Sequence, residues 1–259
     1  MKRQDLQHQR ATKKPLNVVI TGGSRGLGRA FAKEFAKQGD RVYILARNKH
    51  DIDTIRNNHV NISGQECDIG DVRSVRTAIK TIQTQMPTID LWINNAGMSG
   101  GARSLVELDD EKVEDIIRTN LLGTCIACKL VHEVMEKQEM GGAIFNLAGA
   151  GSDGRATTSY SVYGATKAGI VQFSRSLQKE WKDSVVDMHV ISPGMMPTDL
   201  LQDNIDAATL EKIAFLFTHP DLVAQHMVPR MKRAYFYHED SYMRFLTFFK
   251  IIEKLLTRK

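Results

Sequence analysis

The chain has 259 residues, of which 42% are apolar, 7% aromatic and 25% charged. That composition excludes a disordered chain, a collagen and a disulfide scaffold, and no apolar run reaches the ~18–20 residues of a membrane-spanning helix. Residues 1–14 and 241–259 each carry +4 of a total of +5, which leaves the body at −3 and argues against a nucleic-acid binder, whose folded core would carry the basic face.

In chain order, residues 1–14 read as a short basic arm, either disordered or left by removal of a transit peptide. They lack the apolar stretch of a secretory signal. Residues 15–240 read as one domain. Leu16-Asn17-Val18-Val19-Ile20 is a buried strand closed by Thr21-Gly22-Gly23, and a helical pattern over 27–38 follows. Arg41 to Ala46 is the next strand. Further strands are expected near 60–66, 90–94, 143–147 and 187–192, with helices near 71–84, 109–138, 162–182 and 207–217. Strands separated by helices of this length predict a doubly wound, Rossmann-type α/β domain. Its sheet should be mostly parallel, with six or seven strands and helices on both faces. Cys67, Cys125 and Cys128 cannot pair evenly, which points to a reducing compartment. Cys125 and Cys128 read as small buried side chains within a helix, and no metal site is expected.

The turn Thr21-Gly22-Gly23-Ser24-Arg25-Gly26-Leu27-Gly28 lies between the first strand and the first helix. Its glycines let the backbone approach a pyrophosphate, and the helix N-terminus offers N–H groups to it. The second strand decides which dinucleotide. A carboxylate at its end would bond the ribose of NAD. This one ends Ala46-Arg47-Asn48, and Arg25 is close by, so a 2′-phosphate and hence NADPH is expected.

Tyr163-Gly164-Ala165-Thr166-Lys167 sets a phenol and an ammonium four residues apart on one helix face. An unassisted Tyr, with pKa about 10, is a poor acid–base near neutrality, and a neighbouring cation favours its phenolate. With the glycine turn, this pair is the strongest catalytic signal in the chain.

Thr21 to Gly28, Asp68, Asn94-Asn95-Ala96-Gly97, Asn120, Tyr163, Lys167 and Pro193-Gly194 together resemble the short-chain dehydrogenase/reductase family over about residues 16–232. The resemblance implies that Asp68 meets the adenine edge and that Asn94, Ala96 and Gly97 line the cofactor groove with the glycine turn. Asn120 would hold a water in a proton relay to Lys167. Lys167 would bind the nicotinamide ribose, and Tyr163 would exchange a proton with the substrate oxygen. Pro193, Gly194 and Thr198 would flank the nicotinamide. The family's serine, about 13 residues before the tyrosine, is missing: Ala148 and Gly149 stand there. Ser152 is the nearest substitute, with Thr157 and Thr158 next.

Gly141-Gly142-Ala143-Ile144-Phe145-Asn146, Gly149-Ala150-Gly151-Ser152, Val162-Tyr163-Gly164, Ser192-Pro193-Gly194-Met195, Val228-Pro229-Arg230-Met231 and Leu91-Trp92-Ile93-Asn94-Asn95 resemble one branch of that family, the chlorophyll(ide) b reductases of plants and green algae. The branch implies NADPH-dependent reduction of the 7-formyl group of chlorophyll(ide) b to hydroxymethyl. It also implies a chloroplast location, in the stroma or at the thylakoid surface, in a eukaryote and a cytoplasmic one otherwise. The alternatives are a reductase of a smaller carbonyl, such as a 3-oxoacyl thioester or a ketone, and a non-catalytic protein that senses the dinucleotide.

Tyr235-Phe236-Tyr237 reads as a short last strand. Over 241–259 an amphipathic basic helix is expected, with Phe245, Phe248, Phe249, Ile252, Leu255 and Leu256 on one stripe. The chain's own core, a second copy in a homo-oligomer or a bilayer surface would cover that stripe.

Overall fold

The computed structural model describes residues 10, 15–194, 196, 217–239 and 241–245. In chain order the elements are β1 (Asn17–Thr21), α1 (Gly26–Lys37), β2 (Arg41–Ala46), α2 (Lys49–Asn58), β3 (Ile62–Glu66), α3 (Val72–Gln85) and β4 (Leu91–Asn94). A 3-10 turn (Leu105–Glu107) then leads to α4 (Asp110–Ile117), a π-helical turn (Arg118–Leu122) and α5 (Gly123–Met135). There follow β5 (Gly142–Leu147), α6 (Ser161–Glu180), β6 (Val186–Ser192), α7 (Pro220–Tyr237) and β7 (Tyr242–Arg244).

The seven strands form one sheet in the order β3-β2-β1-β4-β5-β6-β7, and every pairing is parallel. Both faces are covered, which is why β1 and β5 are buried along their whole length. The pleat divides each strand between two cores. Val18 and Ile20 meet Phe31 and Phe35 of α1 and Met227, Met231 and Tyr235 of α7. Val19, between them, faces the other way, toward Val75 and Ile79 of α3 and Val131 and Met135 of α5. The expected class, a doubly wound sheet with helices on both faces, is the observed one.

Three expectations are corrected. Tyr235-Phe236-Tyr237 is the last turn of α7, not a strand. Met227, Val228, Met231, Ala234 and Tyr235 fall on one helical stripe and are fully buried, so burial overrides the β preference of the aromatic triplet. The last strand is instead β7, where Met243 is buried and pairs with Ile191. The expected C-terminal helix therefore does not begin at 241: Phe245, first of its stripe, is buried in the core beside His226, with ring centroids 5.4 Å apart. The rest of that stripe, and the helix expected near 207–217 apart from Phe217, lie outside the described residues.

The third correction concerns the N-terminal arm. Arg10 is fully buried. Its guanidinium donates to Met140 O (2.9 Å), Val185 O (2.7 Å), Tyr235 O (3.0 Å) and Asp187 Oδ2 (2.7 Å), and it lies 4.6 Å from the Tyr235 ring centroid. His238, at the end of α7, also meets Asp187 (2.6 Å). Burial alone would raise the Asp187 carboxyl, but His238 and Arg10 hold it below its ordinary value. Arg10 itself is thus held against β6 and the end of α7.

Candidate active site

The strand order reverses at β1, which has β2 on one side and β4 on the other. At such a switch point the carboxyl ends of the strands leave a crevice. Here it is a cavity of about 1070 Å³. Its lining runs from Arg25, Arg47, Lys49 and Asp68, past Gly22, Ser24, Gly26, Leu27 and Ala96, to Gly97, Met98, Tyr163, Lys167, Pro193 and Met196.

The glycine turn is locked onto the sheet by Gly22 N–H, which donates to Leu45 O at 2.7 Å. Gly28 lies behind the cavity rather than in its wall. A Cβ at Gly28 would lie 2.2 Å from Gly22 O, so only glycine lets α1 press against the turn. The extended N-cap residue of α1, Arg25, makes no side-chain cap bond, and the first turn has no acid. By contrast α2 and α3 are capped by Asn48 and Asp71. The first N–H groups of α1 are left to an anion. Exposed Arg47 and Lys49 line the same end, and β2 carries no terminal carboxylate. These residues fit a dinucleotide with a 2′-phosphate: pyrophosphate at α1, the extra phosphate on guanidinium. Asp68 lines this end too, its Oδ1 accepting from Gly70 N at 2.8 Å.

Asn94 does not line the groove. It is 4% exposed, accepts from Trp92 Nε1 (2.7 Å) and donates to Asn146 Oδ1 (2.8 Å), and Asn146 in turn donates to Ser174. The next residue does the work expected of it. Asn95 lines the cavity, and its amide donates to Thr21 O and Gly22 O, both at 3.1 Å. Thr21 Oγ1 accepts from Asn95 N and Ala96 N at 3.0 Å each. The pleat explains the exchange: Asn94 is still in β4 and points inward with Trp92, whereas Asn95 is the first residue beyond the strand.

Tyr163 and Lys167 lie one turn apart on α6, with Lys167 Nζ 5.7 Å from the Tyr163 ring centroid. Lys167 is buried and donates to Leu147 O at 3.0 Å. Burial pushes its pKa down to about 8. Burial, with the neighbouring Tyr160, pushes Tyr163 up to about 12. Asn120 sits in the π-helical turn, a distortion often found at functional sites. Its amide donates to Met98 O (2.9 Å) and Thr166 Oγ1 (3.1 Å) and accepts from Met98 N (2.9 Å). The side chain therefore holds the loop after β4 against α6. A Cβ built at Gly97 would lie 3.3 Å from Asn120 Oδ1 and 3.8 Å from Lys167 Nζ, so loop, asparagine and lysine converge.

Ser152 does not present a free hydroxyl to the cavity. Its Oγ accepts from Gly149 N (2.8 Å) and donates to Lys167 O (3.4 Å), closing its own loop. Thr157 Oγ1 donates to Tyr160 O at 3.1 Å under the start of α6. At one of the two positions where the resemblance puts the serine, a Cβ at Gly149 would lie 2.4 Å from Tyr163 Oη. The phenol occupies the room that a side chain there would need. Pro193 lines the cavity, Gly194 follows it with φ +81°, and Thr198 lies outside the described residues. Cys128 is an inert buried thiol, pushed up to about 12 by burial, and the described residues contain no cluster able to hold a metal ion.

The sequence motifs contain Thr21 and Asn95 but give neither a role of its own, and Ser159 lies outside them. Ser159 has φ +64°, a strained value for a non-glycine residue, just before α6. For Asn95 the signal was available, since β4 alternates. For Ser159 none was.

The short chain dehydrogenase family model matches residues 16–208. The protein named probable chlorophyll(ide) b reductase NYC1, chloroplastic, of Oryza sativa subsp. japonica is 38% identical over 239 residues, 84% of this chain and 47% of the relative. The chain thus spans about half the length of that relative. Chlorophyll(ide) b reductase NOL, chloroplastic, of Arabidopsis thaliana is 35% identical over 94% of this chain and 74% of its own. Among solved structures, the 3-ketoacyl-(acyl-carrier-protein) reductase of Brucella melitensis, complexed with NADH, superposes with a TM-score of 0.79. Its identity is 20%, over 89% of this chain and 96% of that one. By sequence and by fold, the chain belongs to the short chain dehydrogenase family.

Proposed function

We propose that this chain is an NADPH-dependent reductase of the formyl group of a chlorophyll(ide) b-type tetrapyrrole, working in a chloroplast. The observation that carries the reaction class is the pairing of Tyr163 with buried Lys167 at one end of a cavity whose other end has Arg25, Arg47 and the open N-terminus of α1. The names of the plant relatives support the substrate and the location. Bound NADPH would supply the hydride that reduces the formyl carbon.

The residues of the chain handle the proton. A phenol with a pKa of about 12 is fully protonated near neutrality, so Tyr163 is poised to donate. The acceptor is the oxygen of the reduced carbonyl, and an alkoxide is far more basic than a phenolate. Lys167, with a pKa of about 8, is mostly charged at pH 7 and stabilises the phenolate that forms. Intact Tyr163 and Lys167 also argue against a mere dinucleotide sensor, which needs no proton donor. The test is turnover of chlorophyllide b with NADPH, followed by the pigment's absorption. Tyr163→Phe should lower kcat by about 10²–10⁴ while NADPH still binds. A Tyr163→Phe protein with wild-type kcat would remove the proton-donor role.

A further inference from the structure

The charges along the cavity wall are unevenly placed. Its carboxylates, Asp51, Glu66 and Asp68, come from the β2 and β3 side, where the dinucleotide's adenosine half belongs. Around Tyr163 the wall is made by the loop after β4, by α4 and by Met196. Among the described residues it carries there two cations, Arg103 and Lys112, and no carboxylate.

Arg103 is held in place by its backbone. Its N–H is shared between Gly101 O (3.1 Å) and Ser159 O (3.0 Å). Ser159 is the strained residue four positions before Tyr163. The 97–103 loop is therefore pinned near Lys167 at one end and at the entrance to α6 at the other, so that it borders Tyr163. Lys112 stands against its middle, with Cγ 3.4 Å from where a Cβ of Gly100 would lie. Glu107, the acid that feels Arg103, is occupied by Ser104, which donates to it from its N (2.8 Å) and its Oγ (2.7 Å). Among the described residues, neither cation makes an ion pair within 4 Å.

We propose that Arg103 and Lys112 bind a carboxylate of the substrate at the mouth of the site, and that the preferred substrate is the de-esterified pigment with a free propionate. This rests on the tetrapyrrole reading above. The chemistry agrees: the formyl and the propionate sit on opposite sides of the macrocycle. A formyl carbon at Tyr163 therefore puts the carboxylate toward the rim.

The test compares chlorophyllide b with its methyl ester, which has the same formyl group, no charge and no long tail. Both are assayed with NADPH and the full chain. The expected preference for the acid in kcat/KM is about tenfold, or about 1.4 kcal/mol. It should narrow as salt is added, because the pair is solvent-accessible. Arg103→Gln/Lys112→Gln should bring the ratio to about one, and Arg103→Lys should keep more of the preference than Arg103→Gln. If the wild-type chain reduces both pigments equally well, or the double variant keeps the preference, the proposal is overturned and the tetrapyrrole reading stands. If the double variant weakens NADPH binding by fluorescence titration, the pair serves the cofactor and the proposal is overturned. If the wild-type chain binds NADPH but reduces neither pigment, the tetrapyrrole reading falls, and this proposal with it.

Discussion

Lys167 carries a stability cost, and removing it should make the protein more stable and inactive. Burial takes its pKa from 10.5 to about 8. At about 1.36 kcal/mol per unit, the folded state loses roughly 3 kcal/mol by holding this ammonium at pH 7. Lys167→Met removes the charge but also the bond to Leu147 O, which offsets about 1 kcal/mol. The net gain is about 2 kcal/mol, or about 4–8 °C in Tm for a chain of this size. The sign with pH is fixed. The folded pKa lies below the unfolded one, so the wild type becomes more stable as pH rises from about 8 to about 10.5. The advantage of Lys167→Met is thus full at pH 7, shrinks across that window and turns above it into a deficit of about 1 kcal/mol, the lost bond to Leu147 O. Tyr163 titrates in both proteins and largely cancels. Urea denaturation at pH 7, 8, 9 and 10, with m unchanged, measures it. A variant less stable than wild type at pH 7, or a gain that does not decline with pH, would refute the reasoning.

Gly149→Ser adds a hydroxyl at one of the two positions where the family resemblance puts a serine, yet it should lower kcat by about tenfold or more with the fold intact by circular dichroism, because its Cβ meets Tyr163 Oη. Arg47→Ala should weaken NADPH by about 1.5–3 kcal/mol and NADH far less, which fluorescence titration of both cofactors reads. Arg10→Met should cost about 3–5 kcal/mol in urea unfolding, since it leaves the Asp187 carboxylate buried with His238 alone. The wild type's own contribution from Asp187 is present above the usual carboxylate range and is lost as pH falls through its depressed folded value.

The strands were legible because a sheet covered on both sides writes itself as short apolar runs, Val18-Val19-Ile20 closed by Thr21-Gly22-Gly23 or Ala143-Ile144-Phe145 closed by Asn146. The Tyr163–Lys167 pair was legible because helical spacing fixes it. What escaped depended on distant partners. Three-residue β7 exists only because Val190, Ile191 and Ser192 present an open edge to it. Arg10 looks like any charge in a basic tail, and its acceptors are 130 to 225 residues away. Ser152 lies at a plausible distance in number, but its hydroxyl is consumed within its own loop. Asn94 and Asn95 are the same residue type, and only the end of β4 between them decides which one lines the cavity.

The most direct test of the proposed chemistry is isotope transfer. NADPH carrying deuterium at the transferable position of its nicotinamide is incubated with the chain and chlorophyllide b, and the pigment is analysed by mass spectrometry. The account predicts a hydroxymethyl product carrying one deuterium on the former formyl carbon, and none of it with Tyr163→Phe in the same time. Recovery of unreduced pigment while a simple ketone or a 3-oxoacyl thioester takes up the label would contradict it.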